Sequence, residues 1–124
     1  MMSDVVICAV ARTPVGRYRG ALADRSAVEL GIHAVKGLLA RVGIDPASGI
    51  IDEVLFGQVL QAGAGQAPAR QVALGSGMPS STPATTINKV CGSSLKAVMM
   101  AANSIRAGEY NVIVAGGMES MTNA

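Results

Sequence analysis

Aromatic side chains are nearly missing from this sequence of 124 residues, which has no tryptophan, two tyrosines and one phenylalanine. Half of the residues are nonetheless hydrophobic, so the core must be built from aliphatic side chains. Histidine occurs once, and the two cysteines do not have metal-ligand spacing, which excludes the familiar zinc patterns. The sequence therefore predicts no metal site.

Strong charge and long apolar runs are missing as well. The net charge of +2 is too small to indicate a nucleic-acid partner, and no apolar run has the length of a membrane span. Four arginines near the N-terminus favour a solvated loop over a phosphate site: Arg12, Arg17, Arg19 and Arg25. No signal peptide or disulfide framework is visible, which favours a reducing cytoplasm as the compartment.

What is present is an alternation of apolar runs and helical patterns. Residues 5–11 are apolar on both alternating faces, which is typical of a buried parallel strand, so Cys8 is interpreted as a core residue. A helix follows, with Ser26 and Glu29 as a capping box and Gly43 as its C-terminal glycine. His33 lies in this helix, where a surface role is favoured over a catalytic one.

Three further strands are predicted: residues 53–60, a stretch that leads into Cys91, and residues 112–115 as a fully buried strand. Pro68 fits the first turn of a helix between the second and third strands. Another helix follows Cys91 and is apolar over much of its circumference, which predicts that it is buried in a large core. The order β-α-β-α-β-α-β predicts an α/β fold, with a mostly parallel sheet covered by helices on both faces. Ligands of such sheets gather at the carboxyl ends of the strands, where Cys91 and the loops at 61–66 and 116–121 are expected.

Cys91 is the candidate catalytic residue. An apolar, β-branched run ends at this cysteine, small residues follow at once, and a helical pattern begins. A thiolate next to a helix N-terminus is stabilised by the helix dipole and by unpaired N–H groups, and the thiolate is the nucleophilic form. Free cysteine is also a common core residue, so from the residue pattern alone both roles stay open.

Several motifs resemble the thiolase family of acetyl-CoA acetyltransferases. They are Asn-Lys-Val-Cys-Gly-Ser-Ser-Leu-Lys-Ala at 88–97, Ala-Gly-Gly-Met-Glu-Ser-Met at 115–121, Ala-Arg-Thr-Pro-Val-Gly-Arg at 11–17, and the Gly- and Gln-rich stretch at 57–71. The motifs cover nearly the whole chain in the family's order. Ser94 departs from the family pattern, in which Gly is frequent, and so does Ala67, where Asn is common.

The resemblance implies an acetyl-CoA C-acetyltransferase that forms or cleaves acetoacetyl-CoA and other 3-ketoacyl-CoA molecules through an acyl-cysteine intermediate on Cys91. Acyl-CoA is then the substrate, no separate cofactor is needed, and fatty acid metabolism is the expected setting. The resemblance also implies a homo-oligomer, or a pairing with a complementary thiolase chain. In such a dimer, the strand at about 84–90 pairs with its symmetry mate.

The family's Gly-His-Pro segment, which activates the cysteine, and its Cys-x-Gly segment, which acts as acid and base, do not occur in these residues. Residues 1–124 are therefore expected to be an N-terminal thiolase half-domain without the CoA-binding loop region and the C-terminal domain. We expect this chain alone to be inactive. The alternatives are a ketoacyl synthase-like condensing enzyme and a non-catalytic structural subunit of a split thiolase-like complex.

Overall fold

The structure is a computed structural model that describes residues 4–124. Its centre is a parallel sheet of three strands, β1 (Glu53–Gly57), β2 (Ala84–Ile87) and β3 (Ile113–Gly117), in the order β2-β1-β3. Phe56 of β1 stands opposite Thr86 on one side and Gly116 on the other. All three strands therefore end at the same edge of the sheet.

Helices cover both faces of this sheet. The helices are α1 (Ala27–Val42), α2 (Pro68–Gly75) and α3 (Ser93–Arg106), with a short 3-10 helix at Pro46–Ser48. Side chains alternate along β1, so Val54 and Phe56 pack in one hydrophobic cluster with α1 and α2, while Leu55 packs against α3. The predicted α/β fold, with a parallel sheet between two helical layers, is confirmed.

The first helix begins and ends where the sequence predicts. The hydroxyl of Ser26 accepts the backbone N–H of Glu29 at 3.1 Å, and the Glu29 carboxylate accepts the N–H of Ser26 at 2.7 Å. The backbone N–H of Ser26, which donates to the Glu29 carboxylate, lowers the pKa of Glu29 most, and the Ser26 hydroxyl near that carboxylate lowers it further. Gly43 closes the helix in the left-handed conformation, with a φ of 70°.

The predicted N-terminal strand is wrong. Residues 4–17 form no strand, and three apolar side chains of this segment are mostly exposed: Val6 (72%), Ile7 (76%) and Val10 (66%). Cys8 is exposed too, which corrects its assignment to the core. An apolar pattern alone does not make a strand, because a strand also needs a neighbour, and neither edge of the sheet pairs with this segment in residues 4–124.

Two smaller predictions also need correction. The last strand was expected to be fully buried, yet only Val114 is, and Val112 is 36% exposed. The helix after Cys91 was expected inside a large core, but it faces the sheet with small residues such as Ala97 and Ala101. Its larger apolar side chains, including Leu95 at 68% and Met99 at 53% exposed, point away from the sheet.

Candidate active site

A tight turn carries Cys91 from β2 into α3. The side-chain oxygen of Asn88 accepts the N–H of Val90 at 3.0 Å, and the N–H of Gly92 donates to the carbonyl of Lys89 at 3.0 Å. Val90 has a φ of 47°, a left-handed conformation that is strained for a β-branched residue. The turn is therefore held by its surroundings, and Cys91 directly follows its strained residue.

The hydroxyl of Ser93 fixes the other side of the turn. It donates to the carbonyl of Val90 at 2.6 Å and accepts the N–H of Lys89 at 2.8 Å. Ser93 is almost completely buried, at 4% exposure. One hydroxyl thus binds the backbone on both sides of the strained residue, so the start of α3 and the end of the strand move as one unit.

Cys91 lies exposed immediately before the N-terminus of α3. Gly92 is the N-cap residue, and no side chain among residues 4–124 accepts a cap hydrogen bond there. The first N–H groups of a helix have no partner within the helix, and the positive end of the helix dipole lies with them. The sequence prediction that Cys91 stands at a strand–helix junction is confirmed. The arrangement favours negative charge at this point, as a nucleophilic thiolate or a developing oxyanion would require.

Two glycines let the start of α3 lie directly on the sheet. A Cβ atom at Gly57 would be 2.7 Å from the backbone carbon of Ser93, a distance that real Cβ atoms do not show. A Cβ atom at Gly117 would lie 2.9 Å from the carbonyl oxygen of Gly57 and would also overlap the hydroxyl of Ser94. The absence of side chains at these two strand ends therefore sets the position of the Cys91 turn above the sheet edge.

The segments after β1 and β3 meet at the same edge. The Glu119 carboxylate accepts the N–H of Val59 at 2.9 Å and that of Leu60 at 3.2 Å. Asn88 of the cysteine turn donates its side-chain amide to the carbonyl of Val59 at 3.4 Å. The three loops expected at the carboxyl edge of the sheet are thus brought together there, as predicted.

The loop at 61–66 is held from α2. The Gln71 side-chain amide donates to the carbonyls of Ala64 at 2.9 Å and Gln66 at 2.8 Å. Ala67, the residue before α2, has a φ of 45° and provides no side-chain cap. One glutamine therefore holds the backbone of this loop. Ala67, just before the helix, has a left-handed conformation that is unfavourable for alanine.

Other candidate groups lie away from this turn. His33 is exposed on α1, in the helical layer opposite the one that contains α3. The arginines Arg12, Arg17, Arg19 and Arg25 are all exposed, as expected for a solvated loop. A concavity of about 410 Å³ is lined by residues 11–18 and 117–122 among others, and Cys91 does not line it. Residues 4–124 contain no group of three or more His, Cys, Asp or Glu side chains suited to a metal ion.

Comparison with known proteins decides the family. Residues 5–124 match the family described as thiolase, N-terminal domain. The chain belongs to the thiolase family. An acetyl-CoA acetyltransferase from Yarrowia lipolytica is 60% identical over 122 residues, which is 98% of this chain and 30% of that protein. One from Cupriavidus necator is 54% identical over 123 residues, 99% of this chain and 31% of that protein, and a probable acetyl-CoA acetyltransferase from Escherichia coli is 55% identical over 123 residues, with the same two coverages.

The thiolase resemblance predicted from the motifs is thus confirmed over almost the whole chain. The chain spans about a third of the length of the curated relatives it matches. The match does not by itself assign a role to any residue, so the part played by Cys91 rests on the geometry of its turn. No helix in residues 4–124 combines the length and the apolar character needed to cross a membrane.

Sequence reasoning missed two residues of this candidate site. Glu119 is one of them: it lies within the motif at 115–121, and its carboxylate joins the end of β3 to the loop after β1. Gln71 is the other, and its side chain holds the loop at 61–66. Both residues act on backbone groups distant in sequence or in a neighbouring loop, and no spacing pattern signals such a contact.

Proposed function

We propose that this chain carries the nucleophile of an acetyl-CoA C-acetyltransferase, with Cys91 as the acyl carrier. The observation that carries the proposal is the exposed thiol at the uncapped N-terminus of α3, on the edge of the sheet where three loops converge. The names of the relatives, acetyl-CoA acetyltransferases, support the choice of acyl group. Residues 1–124 would then form the N-terminal half-domain of such an enzyme.

The reaction starts with attack of the Cys91 thiolate on the carbonyl carbon of an acyl-CoA thioester. A tetrahedral oxyanion forms and collapses, the bond to the CoA sulfur breaks, and CoA leaves as a thiol after taking up a proton. The backbone N–H of Cys91 is the donor that we assign to the oxyanion, since it lies next to the positive end of α3. In the reverse direction, the same acyl-cysteine is the product of cleaving a 3-ketoacyl-CoA.

The second half of the reaction joins two carbon atoms. The α-carbon of a second acetyl-CoA loses a proton, attacks the acyl-cysteine carbonyl and releases the Cys91 thiolate, which gives acetoacetyl-CoA. The family resemblance gives the two proton transfers to a histidine in a Gly-His-Pro segment and a cysteine in a Cys-x-Gly segment, neither of which occurs in residues 1–124. We therefore infer that these groups reach Cys91 from a further stretch of polypeptide.

Acetyl-CoA and other acyl-CoA molecules are the proposed substrates, with no separate cofactor, in fatty acid metabolism and in the cytoplasm. The proposed assembly is a homo-oligomer or a pairing with a complementary thiolase chain. The position of β2 at the edge of the sheet supports an assembly through this strand.

Mass spectrometry of the acyl-enzyme tests the central proposal. The chain is combined with a polypeptide that carries the Gly-His-Pro and Cys-x-Gly segments, and the mixture is incubated with acetyl-CoA. The reaction is quenched in acid, and the acetylated residues are located by peptide mapping. We expect an acetyl group on Cys91 and none on Cys8, although both thiols are exposed. Cys8→Ser is the matched control and should keep the adduct, whereas Cys91→Ser should abolish stable thioester formation.

Other outcomes would redirect the assignment. Acetylation of both cysteines at equal rates would show simple exposure instead of catalysis. Labelling from a malonyl or carrier-protein thioester, but not from acetyl-CoA, would favour a ketoacyl synthase-like condensing enzyme. Absence of any adduct in a correctly folded assembly would favour a non-catalytic structural subunit.

A further inference from the structure

The side chain of Glu119 accepts backbone hydrogen bonds just beyond the point where main-chain bonding between β1 and β3 ends. The N–H of Met118 donates to the carbonyl of Gly57 at 3.0 Å, which is the last main-chain bond between the two chain segments. Beyond this bond, the N–H groups of Val59 and Leu60 in the segment after β1 find no main-chain acceptor in the segment after β3. The two carboxylate oxygens of Glu119 accept them, at 2.9 and 3.2 Å. A single side chain therefore fixes two successive peptide units across about 60 residues of sequence.

The loop so fixed is bonded to the cysteine turn. The carbonyl of Val59 accepts the side-chain amide of Asn88 at 3.4 Å, the longest bond of the series. The same Asn88 uses its side-chain oxygen to accept the N–H of Val90 at 3.0 Å. The side chain of Asn88 thus has one end on the loop and the other on the residue before Cys91.

Val90 is the residue whose conformation needs such support. Its φ of 47° is unfavourable for a β-branched side chain, and it is 65% exposed, so packing does little to hold it. Hydrogen bonds to Asn88 and to the Ser93 hydroxyl hold it in place. Each of these bonds therefore helps to maintain the conformation of the residue that precedes Cys91.

We propose that Glu119 is a positioning residue for Cys91, acting through Val59, Asn88 and Val90. The proposal rests on the proposed function of Cys91, since positioning has meaning only for a working thiol. Glu119 touches no reacting atom in this scheme. Its carboxylate holds the loop at the end of β1, the loop orients Asn88, and Asn88 maintains the strained turn that presents the sulfur at the helix terminus.

The test uses the chain with Cys8→Ser, so that iodoacetamide labels Cys91 alone. Glu119→Gln keeps the size of the side chain but loses one acceptor oxygen. We expect the alkylation rate at neutral pH to fall roughly two- to fivefold, the size of a lost helix-terminus interaction. In amide NMR spectra, hydrogen exchange should quicken at Val59 and Leu60, and the amide signal of Val90 should shift.

Two further variants separate positioning from a general loss of stability. Glu109→Gln is the matched control: it removes the same charge from an exposed glutamate and should leave the rate and the three amide signals unchanged. Asn88→Asp keeps the acceptor for Val90 but removes the donor to Val59. In that background Glu119→Gln should have no further effect on the alkylation rate, because the connection is already cut.

Two results would contradict the positioning role of Glu119. An unchanged alkylation rate in folded Glu119→Gln, or equal effects of Glu119→Gln with and without Asn88→Asp, would overturn the proposal. Should Glu119→Gln fail to fold, the neutral variant Asn88→Ala decides: it must lower the rate while the Val59 and Leu60 amides stay protected. These readouts concern the turn itself, whereas the proposed function fails separately, if Cys91 carries no acyl group in the acyl-enzyme experiment.

Discussion

At the scale of single residues, the site depends on two positions where a side chain is excluded and one where a better side chain is missing. Gly57 and Gly117 leave the space in which α3 approaches the sheet. Ala67 occupies a left-handed conformation that costs an L-residue other than Asn or Gly appreciable energy. Substitution at the glycines should therefore lower the stability of the chain, whereas substitution at Ala67 can raise it.

Gly117→Ala should destabilise the chain. The added methyl group would meet the carbonyl of Gly57 at 2.9 Å and overlap the Ser94 hydroxyl, and overpacking of this kind costs about 1–3 kcal/mol. Thermal or urea unfolding measures the loss in free energy. Ser94→Gly should recover only part of the loss, because the contact with the backbone of Gly57 remains. Full recovery would show that Ser94 alone is responsible.

Ala67→Asn should stabilise the chain by about 1 kcal/mol, since asparagine tolerates the left-handed conformation and offers a cap for α2. Urea unfolding at neutral pH checks the value. Ala67→Gly is the control, because glycine relieves the backbone strain but has no cap. A gain with glycine that equals the gain with asparagine would assign the effect to the backbone alone, and a loss with both would contradict the reasoning.

At the scale of secondary-structure elements, short polar links join segments that the sequence separates widely. Asp52, just before β1, accepts the N–H groups of Asn111 at 2.8 Å and Val112 at 2.9 Å. These bonds lower the pKa of Asp52, that from Val112 most and that from Asn111 next. The carboxylate thereby aligns the start of β3 beside the start of β1.

This link should make stability depend on pH. Because the folded pKa of Asp52 is below the value of about 3.8 expected for the unfolded chain, its contribution is present above that pH and is lost as the pH falls through the folded pKa. Asp52→Asn should cost about 1 kcal/mol at neutral pH. The difference from the unchanged chain should shrink in acid. Urea unfolding between neutral pH and strong acid checks this. Parallel curves for Asp52→Asn and the unchanged chain would contradict the assignment.

Local sequence signals predicted most of the helices and strands. The features that they did not predict depend on partners that are distant in the sequence. The capping box of α1, the helix after Pro68 and the strand–helix junction at Cys91 depend on neighbouring residues and were predicted correctly. The first strand was wrong because strand formation needs a pairing partner that composition cannot reveal. The role of Glu119 was invisible for the same reason, since its partners lie about 60 residues away.

At the scale of the whole molecule, residues 1–124 should show no thiolase turnover on their own. Proton transfer by a positioned acid or base contributes about 10²–10⁴-fold to a rate, and the family's two proton-transfer segments are not in these residues. His33, the one histidine, lies on α1 in the layer away from α3. A thiolysis assay with acetoacetyl-CoA should give only background. His33→Gln should leave that background unchanged, and turnover abolished by Cys91→Ala would contradict the prediction.

The extended N-terminal segment has a consequence for handling the protein. The apolar side chains of residues 6, 7 and 10 are exposed to solvent, and no strand of residues 4–124 pairs with the outer edge of β2. An extended apolar stretch of one molecule can add as a strand to the free sheet edge of another. We therefore expect this segment and that edge to promote association between molecules at high concentration. Ile7→Glu should lower the light scattering of concentrated samples without touching the cysteine turn.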